Sequence, residues 1–181
     1  MEFRIARAED IEKLGTLKVE AFLAKATGCC TSREKAEAHV LDTYRTKQPW
    51  SLENCAIVVR TSDNAVLGSC QLKYHGQDGM MELPGFARHS CEREECYLET
   101  ICVSEEARGQ GVGTMLLNWA DETARSNGCT VITLDVAKSN RATGLYLRHG
   151  YEIVVDPDCV DSFFGYILLG EWGFYLMKKK L

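Results

Sequence analysis

Arg108-Gly109-Gln110-Gly111-Val112-Gly113 lies between an apolar run, Tyr97 to Val103, and an amphipathic stretch that begins near Gly111. The run reads as a strand, and the stretch as a helix with Val112, Met115, Leu116, Trp119 and Thr123 on one face. The glycines therefore occupy a strand-to-helix turn. At such a turn the first backbone N–H groups of the helix lack intrahelical partners and point along its axis, and glycine places no Cβ between them and an anion. That makes the turn a candidate cradle for a pyrophosphate, to which Arg108 adds a charge-assisted donor. Glycines at 109, 111 and 113 fit neither the Walker nor the Rossmann spacing. Taken alone, the motif also fits a tight turn whose glycines only relieve strain.

The flanking sequence extends the alternation in both directions. Gly128 ends the helix, Val131 to Val136 is a buried strand, and Arg141 to Arg148 is a short helix closed by Gly150. Tyr151 to Val155 and Trp172 to Met177 are further strands around a Pro157-centred loop, and Lys178-Lys179-Lys180 reads as a solvated terminus. Upstream, Phe3 to Ala6 alternates as a strand, and Asp10 caps a helix carrying Ile11, Leu14, Leu17 and Ala21. Thr31-x-x-Glu34 has capping-box spacing for a second helix that stops before Pro49. Asn54 to Arg60 and Ala65 to Tyr74 form a hairpin, and His75 to Glu95 is a long loop of the kind that is usually functional. The order predicts an α/β fold with a mixed central sheet flanked by helices.

With 181 residues, 45% of them hydrophobic, the chain is expected to be one domain, 1–181, with ample core and no need of disulfides. The net charge of -5 argues against a nucleic-acid partner. All of the acidic excess lies after residue 90, where Glu92, Glu94, Glu95, Glu99, Glu105 and Glu106 face only Arg93. Nine cysteines without a Cys-x-x-Cys pair suit a reduced interior better than a disulfide framework or zinc site. His89, Cys91 and Cys96 lack a fourth ligand, and no metal is expected. Neither a secretory signal nor a membrane span is recognisable, so cytoplasmic residence is the expectation, with the nucleus open.

The turn and its surroundings resemble the GNAT superfamily of N-acetyltransferases, whose signature is Arg/Gln-x-x-Gly-x-Gly/Ala between a strand and a helix. Arg108, Gly111 and Gly113 match it in place. Tyr97 to Val103 resembles the family's fourth strand, and Ala142-x-x-Leu145-Tyr146-x-x-x-Gly150-Tyr151 its later helix-to-strand segment. The resemblance spans almost the whole chain, with residues 75 to 95 the poorest match. It implies a GNAT-like fold with acetyl-CoA as co-substrate. The pantetheine would lie along Ile101, Cys102 and Val103, with Ile101 and Val103 offering backbone pairs and the Cys102 side chain packing. Arg108, Gly109, Gly111, Val112, Gly113 and Thr114 would hold the pyrophosphate. The family often has Asn where Ser139 stands, so Asn140 is a displaced candidate for the same contact.

An amine that attacks a thioester must first lose a proton, and the leaving thiolate then gains from a donor. By the resemblance, Glu99 is the candidate general base and Tyr146 the candidate acid. Direct transfer requires no cysteine nucleophile. His75, His89 and His149 are bases by type, with His149 better read as a helix-end residue. The carboxylates before and on the fourth strand favour a cationic primary amine as acceptor: a small amine, a polyamine or a protein lysine. A non-catalytic acyl-CoA sensor of the same fold is the alternative, and a homodimer stays open.

Overall fold

A computed structural model of the chain describes residues 1–26, 38, 41–42, 46, 50–77, 89–156 and 173–181. The helix expected between Thr31 and Pro49, most of the long loop after His75 and the Pro157-centred loop fall largely outside the described residues. Seven strands form one sheet in the order β1-β2-β3-β4-β5-β7-β6. They are β1 (Glu2–Ile5), β2 (Cys55–Val59), β3 (Val66–Tyr74), β4 (Glu95–Val103), β5 (Val131–Ala137), β6 (Glu152–Val155) and β7 (Phe174–Lys180). All neighbours pair antiparallel except β4 and β5.

Two cores sandwich this sheet. Helix α1 (Ile11–Ala26) covers one face with Ile11, Leu14 and Leu17 against Ile57, Val59 and Cys102. Its entry is set by Asp10, which accepts the Arg7 N–H at 2.8 Å and two bonds from the Arg4 guanidinium at 2.6 and 2.8 Å. Helix α2 (Val112–Ser126) covers the opposite face with Val112, Leu116, Leu117, Ala120 and Ala124. The buried stripe is thus rotated from the one read in the sequence. Met115 is 39% exposed, whereas Ala120 and Ala124 are fully buried, because small side chains let the helix close on the sheet where larger ones would hold it off. Each buried leucine of that stripe contributes about 1.5–3 kcal/mol.

Helix α2 ends in a Schellman turn: Gly128 takes φ +78°, Cys129 N–H donates to the Ala124 carbonyl and Gly128 N–H to that of Arg125. Helix α3 (Thr143–Arg148) ends the same way at Gly150, with Tyr151 N–H donating to the Tyr146 carbonyl at 3.0 Å. The lysines at 178 to 180 are not a free terminus. They pair with Thr133, Ile132 and Val131 of β5, and the Lys179 ammonium and His149 Nε2 both donate to Asp121 Oδ2 beneath the sheet. Three charges in a row mimic a solvated tail, but a strand turns alternate side chains to opposite faces, so Lys179 can reach a buried acid.

Candidate active site

The site lies where β4 and β5 part. Their parallel pairing covers only Glu95↔Val131, Cys96↔Ile132 and Tyr97↔Thr133. Beyond Tyr97 the edge of β4 facing β5 is unpaired, and a wedge opens toward the glycine turn. A bulge shapes the same stretch. Gln71 of β3 pairs with Thr100 and Leu72 with Leu98, which leaves Glu99 as the inserted residue. The insertion flips the alternation, so that Cys96 and Leu98 before it share the α2 core with Ile101 and Val103 after it.

Ser104 N–H donates to the Leu67 carbonyl at 2.8 Å. Backbone polar groups alternate sides along a strand, so Cys102 turns its N–H and C=O toward β3, while Ile101 and Val103 turn theirs into the wedge. An extended amide-bearing chain laid there would complete the sheet edge. The Cys102 side chain points away into the α1 core, where burial pushes its thiol up to about 12 and leaves it inert.

At the mouth of the wedge, a 3-10 turn (Glu105–Ala107) leads into Arg108, Gly109 at φ +75° and Gly111 at φ +84°. A Cβ at 109 or 111 would meet nothing within 4 Å. Glycine is demanded there by the left-handed backbone, not by crowding. At Gly113 the reason differs, since a Cβ would come within 3.0 Å of Leu145. The helical ladder begins with Met115 N–H to the Gly111 carbonyl. The N–H groups of Val112, Gly113 and Thr114 therefore precede the ladder and project from the helix end. Val112 itself is buried against Gly68 and pins the turn to β3. Arg108 is exposed at the turn, and Arg60 ties down the nearby Glu106 at 2.9 Å, which offsets a carboxylate that would otherwise repel a phosphate. These donors, this open space and this cation fit a pyrophosphate.

Tyr146 is 4% exposed and meets Tyr151 edge-on at 5.8 Å. Burial raises its phenol, keeping the proton on at neutral pH. Asn140 spends its side-chain carbonyl on the Ala142 N–H at 2.9 Å, and its backbone carbonyl accepts from the Thr143 hydroxyl. It therefore closes the turn that leads into α3. His149 belongs to the Asp121 group, and His75 Nδ1 contacts the Cys91 carbonyl at 2.8 Å.

Several contacts that the sequence reading did not foresee gather where the β4–β5 pairing ends. The Tyr97 hydroxyl donates to Asp135 Oδ2 at 2.9 Å. His89 stacks on the Tyr97 ring at 4.5 Å, and the Lys73 ammonium lies 5.0 Å from its centroid. Glu95 is not one of the exposed loop carboxylates. It is buried, and accepts from the Thr133 hydroxyl, the Glu92 N–H and His89. Burial alone would raise its carboxyl, but these hydrogen bonds prevail and hold it below its ordinary range. His89, Glu92, Glu94, Glu95 and Thr133 also line an open depression of about 370 Å³ at the start of β4 and β5. His89 lies on the Tyr97 face and Cys96 in the opposite core, so the His89, Cys91 and Cys96 trio does not converge. No helix among the described residues is long and apolar enough to cross a membrane.

The profile of the acetyltransferase (GNAT) family matches residues 20–151. An aminoglycoside N(6')-acetyltransferase type 1 of Klebsiella aerogenes is 38% identical over 87 residues, 43% of this chain and 57% of that protein. A chloroplastic GCN5-related N-acetyltransferase 6 of Arabidopsis thaliana is 37% identical over 59 residues, 32% of this chain and 20% of that one. The matches thus span less than two thirds of either relative. A PaiA N-acetyltransferase of Thermoplasma acidophilum, solved with coenzyme A, superposes with a TM-score of 0.65 at 18% identity, covering 99% of this chain and 98% of that one.

Proposed function

The chain belongs to the acetyltransferase (GNAT) family, and from that premise we propose that it moves the acetyl group of acetyl-CoA directly onto a primary amine. The observation that carries this reading is the wedge between β4 and β5, which ends on a glycine turn at a helix N-terminus. One groove offers strand-edge groups for an amide-bearing arm and anion donors for a pyrophosphate. The Thermoplasma structure, of the same fold, holds coenzyme A.

Bound acetyl-CoA supplies an activated thioester carbonyl. This chain's part is to hold it and to manage two protons. Ile101 and Val103 pair with the arm, and Arg108 with the N–H groups of Gly109, Gly111, Val112, Gly113 and Thr114 holds the phosphates. Glu99, the inserted residue of the β4 bulge, takes a proton from the acceptor's nitrogen. Tyr146 gives its proton to the departing sulfur. A general acid or base of this kind contributes about 10²- to 10⁴-fold.

The acceptor we favour is cationic. Exposed Glu92 and Glu94 and half-buried Glu99 place negative charge along its approach. The bacterial relative is, by name, an aminoglycoside acetyltransferase, and aminoglycosides are polycationic amines. The test is release of free CoA thiol from acetyl-CoA with spermidine, a lysine-containing peptide and an aminoglycoside. Turnover on at least one supports the reading, and CoA binding without turnover on any contradicts it.

A further inference from the structure

We propose that Asp135 determines acceptor specificity: the carboxylate oxygen not engaged by Tyr97 anchors the acceptor's ammonium across the wedge from Glu99. The inference rests on the acetyl-transfer reading above.

The β5 run Val131-Ile132-Thr133-Leu134-Asp135-Val136-Ala137 holds a single charge. Ile132, Leu134 and Val136 are buried in the α2 core, and the intervening side chains Thr133 and Asp135 turn to the other face. There Asp135 is exposed, two residues past the last β4–β5 pair. Two residues on from Tyr97↔Thr133, the last pair, stand Glu99 on β4 and Asp135 on β5, one on each strand that borders the wedge.

The Asp135 carboxylate is held ready. Tyr97 donates to Oδ2 at 2.9 Å, and Tyr97 is itself clamped by the stacked His89 ring and the Lys73 ammonium. Lys73 donates to the His89 carbonyl at 2.6 Å, and Glu95 holds the His89 ring at 2.7 Å. The ordering cost of this chain of contacts is met in folding, so a ligand meets an oriented acceptor oxygen. Loss of hydration at this site raises the Asp135 carboxyl, against the lowering influence of Tyr97, His89 and Lys73 and with the added repulsion of Glu95. A carboxylate that folding disfavours in its charged form is spared that penalty by a bound cation. A primary ammonium has three donors. One to Asp135 and one to Glu99 fix its nitrogen between the lips; a proton then passes from nitrogen to Glu99 and frees the lone pair.

The test uses the full chain with saturating acetyl-CoA and the amine of the three-member panel that wild type turns over fastest. Asp135→Asn should raise KM for that amine about 10- to 100-fold, as expected for losing a hydrogen bond to a charged group, with kcat within a few-fold and CoA binding by calorimetry unchanged. Glu99→Gln should lower kcat about 10²- to 10⁴-fold in addition to any rise in KM, because Glu99 takes the proton as well as a hydrogen bond. Tyr97→Phe should raise KM by a smaller factor. A KM for Asp135→Asn within twofold of wild type, or a kcat loss at unchanged KM, overturns the anchor while leaving acetyl transfer intact. If wild type binds CoA and acetylates none of the panel, the functional reading fails and the anchor fails with it. Asp135→Ser repeats the kinetic test if Asp135→Asn melts below wild type.

Discussion

The Tyr97 hydroxyl bonds Asp135 Oδ2 across 2.9 Å just where the backbone pairing of β4 and β5 stops. A side-chain bond replaces the ladder at the throat of the wedge and fixes how far the strands part. Behind it, His89, Lys73, Glu95 and Thr133 form a polar layer that holds the Tyr97 ring from the rear. This layer backs the throat of the wedge with hydrogen-bonded side chains.

Gly111→Val should lose CoA binding and also destabilise the fold. A left-handed residue costs an L side chain about 1–2 kcal/mol, which at this size lowers Tm by about 2–8 °C. Gly111→Asn, better tolerated at φ +84°, should recover most of the Tm and little of the binding. Scanning calorimetry and CoA titration on the same samples separate the two effects; Gly111→Val with wild-type affinity would remove the turn from the site.

Tyr146→Phe should lower kcat about 10²- to 10⁴-fold with the apparent affinity for acetyl-CoA nearly unchanged, because a donor to the leaving sulfur acts in the transition state. Burial keeps the phenol protonated at neutral pH, so the loss should be flat across that range. Wild-type kcat would assign Tyr146 to packing against Tyr151.

Glu92→Lys with Glu94→Lys should lower kcat/KM for the cationic amine, and the deficit should shrink as salt is added, since both carboxylates are exposed. Glu95→Lys should instead reduce Tm, because that carboxylate is enclosed by Thr133, His89 and the Glu92 N–H. An equal salt response from all three positions would contradict the division between steering and buried charge.

The carboxyls of Asp10 and Glu95 lie below their ordinary values when folded, burial being outweighed by hydrogen bonds from Arg4 and the Arg7 N–H in one case and from Thr133, the Glu92 N–H and His89 in the other. The unfolded chain therefore takes up protons first as pH falls. Their stabilisation is complete above the unfolded range near pH ~4 and is lost as acid carries the folded groups through their own lower pKa values. Denaturant titrations from pH 7 down to 3 should show stability falling below about pH 5, less steeply in Glu95→Gln.

Much of this site was legible in the sequence because it rests on backbone. Glycines at a strand-to-helix junction announce positive φ and exposed N–H groups, and Ile101 and Val103 were implied by the resemblance of their strand to the family's fourth. What was not legible depends on non-local contact. Asp135 is the one charged letter in its strand, and only the packing of β4 beside β5 shows that it accepts from the Tyr97 hydroxyl. The bulge at Glu99 leaves no mark in composition, since it arises from the offset with Gln71 and Leu72 of β3. Glu95 read as one more loop acid, yet its burial is set by Thr133, 38 residues away in sequence. The tie of the Asn140 side-chain carbonyl to the Ala142 N–H, in the turn before α3, likewise shows only in three dimensions.

The most direct test of the account is a paired titration of CoA and of pantetheine, which lacks the pyrophosphate, into the full chain. If the turn at Arg108–Gly113 cradles the pyrophosphate, CoA binds at least tenfold more tightly than pantetheine, and Arg108→Ala narrows the gap by weakening CoA alone. Equal affinity for the two ligands, unaffected by Arg108→Ala, would contradict it.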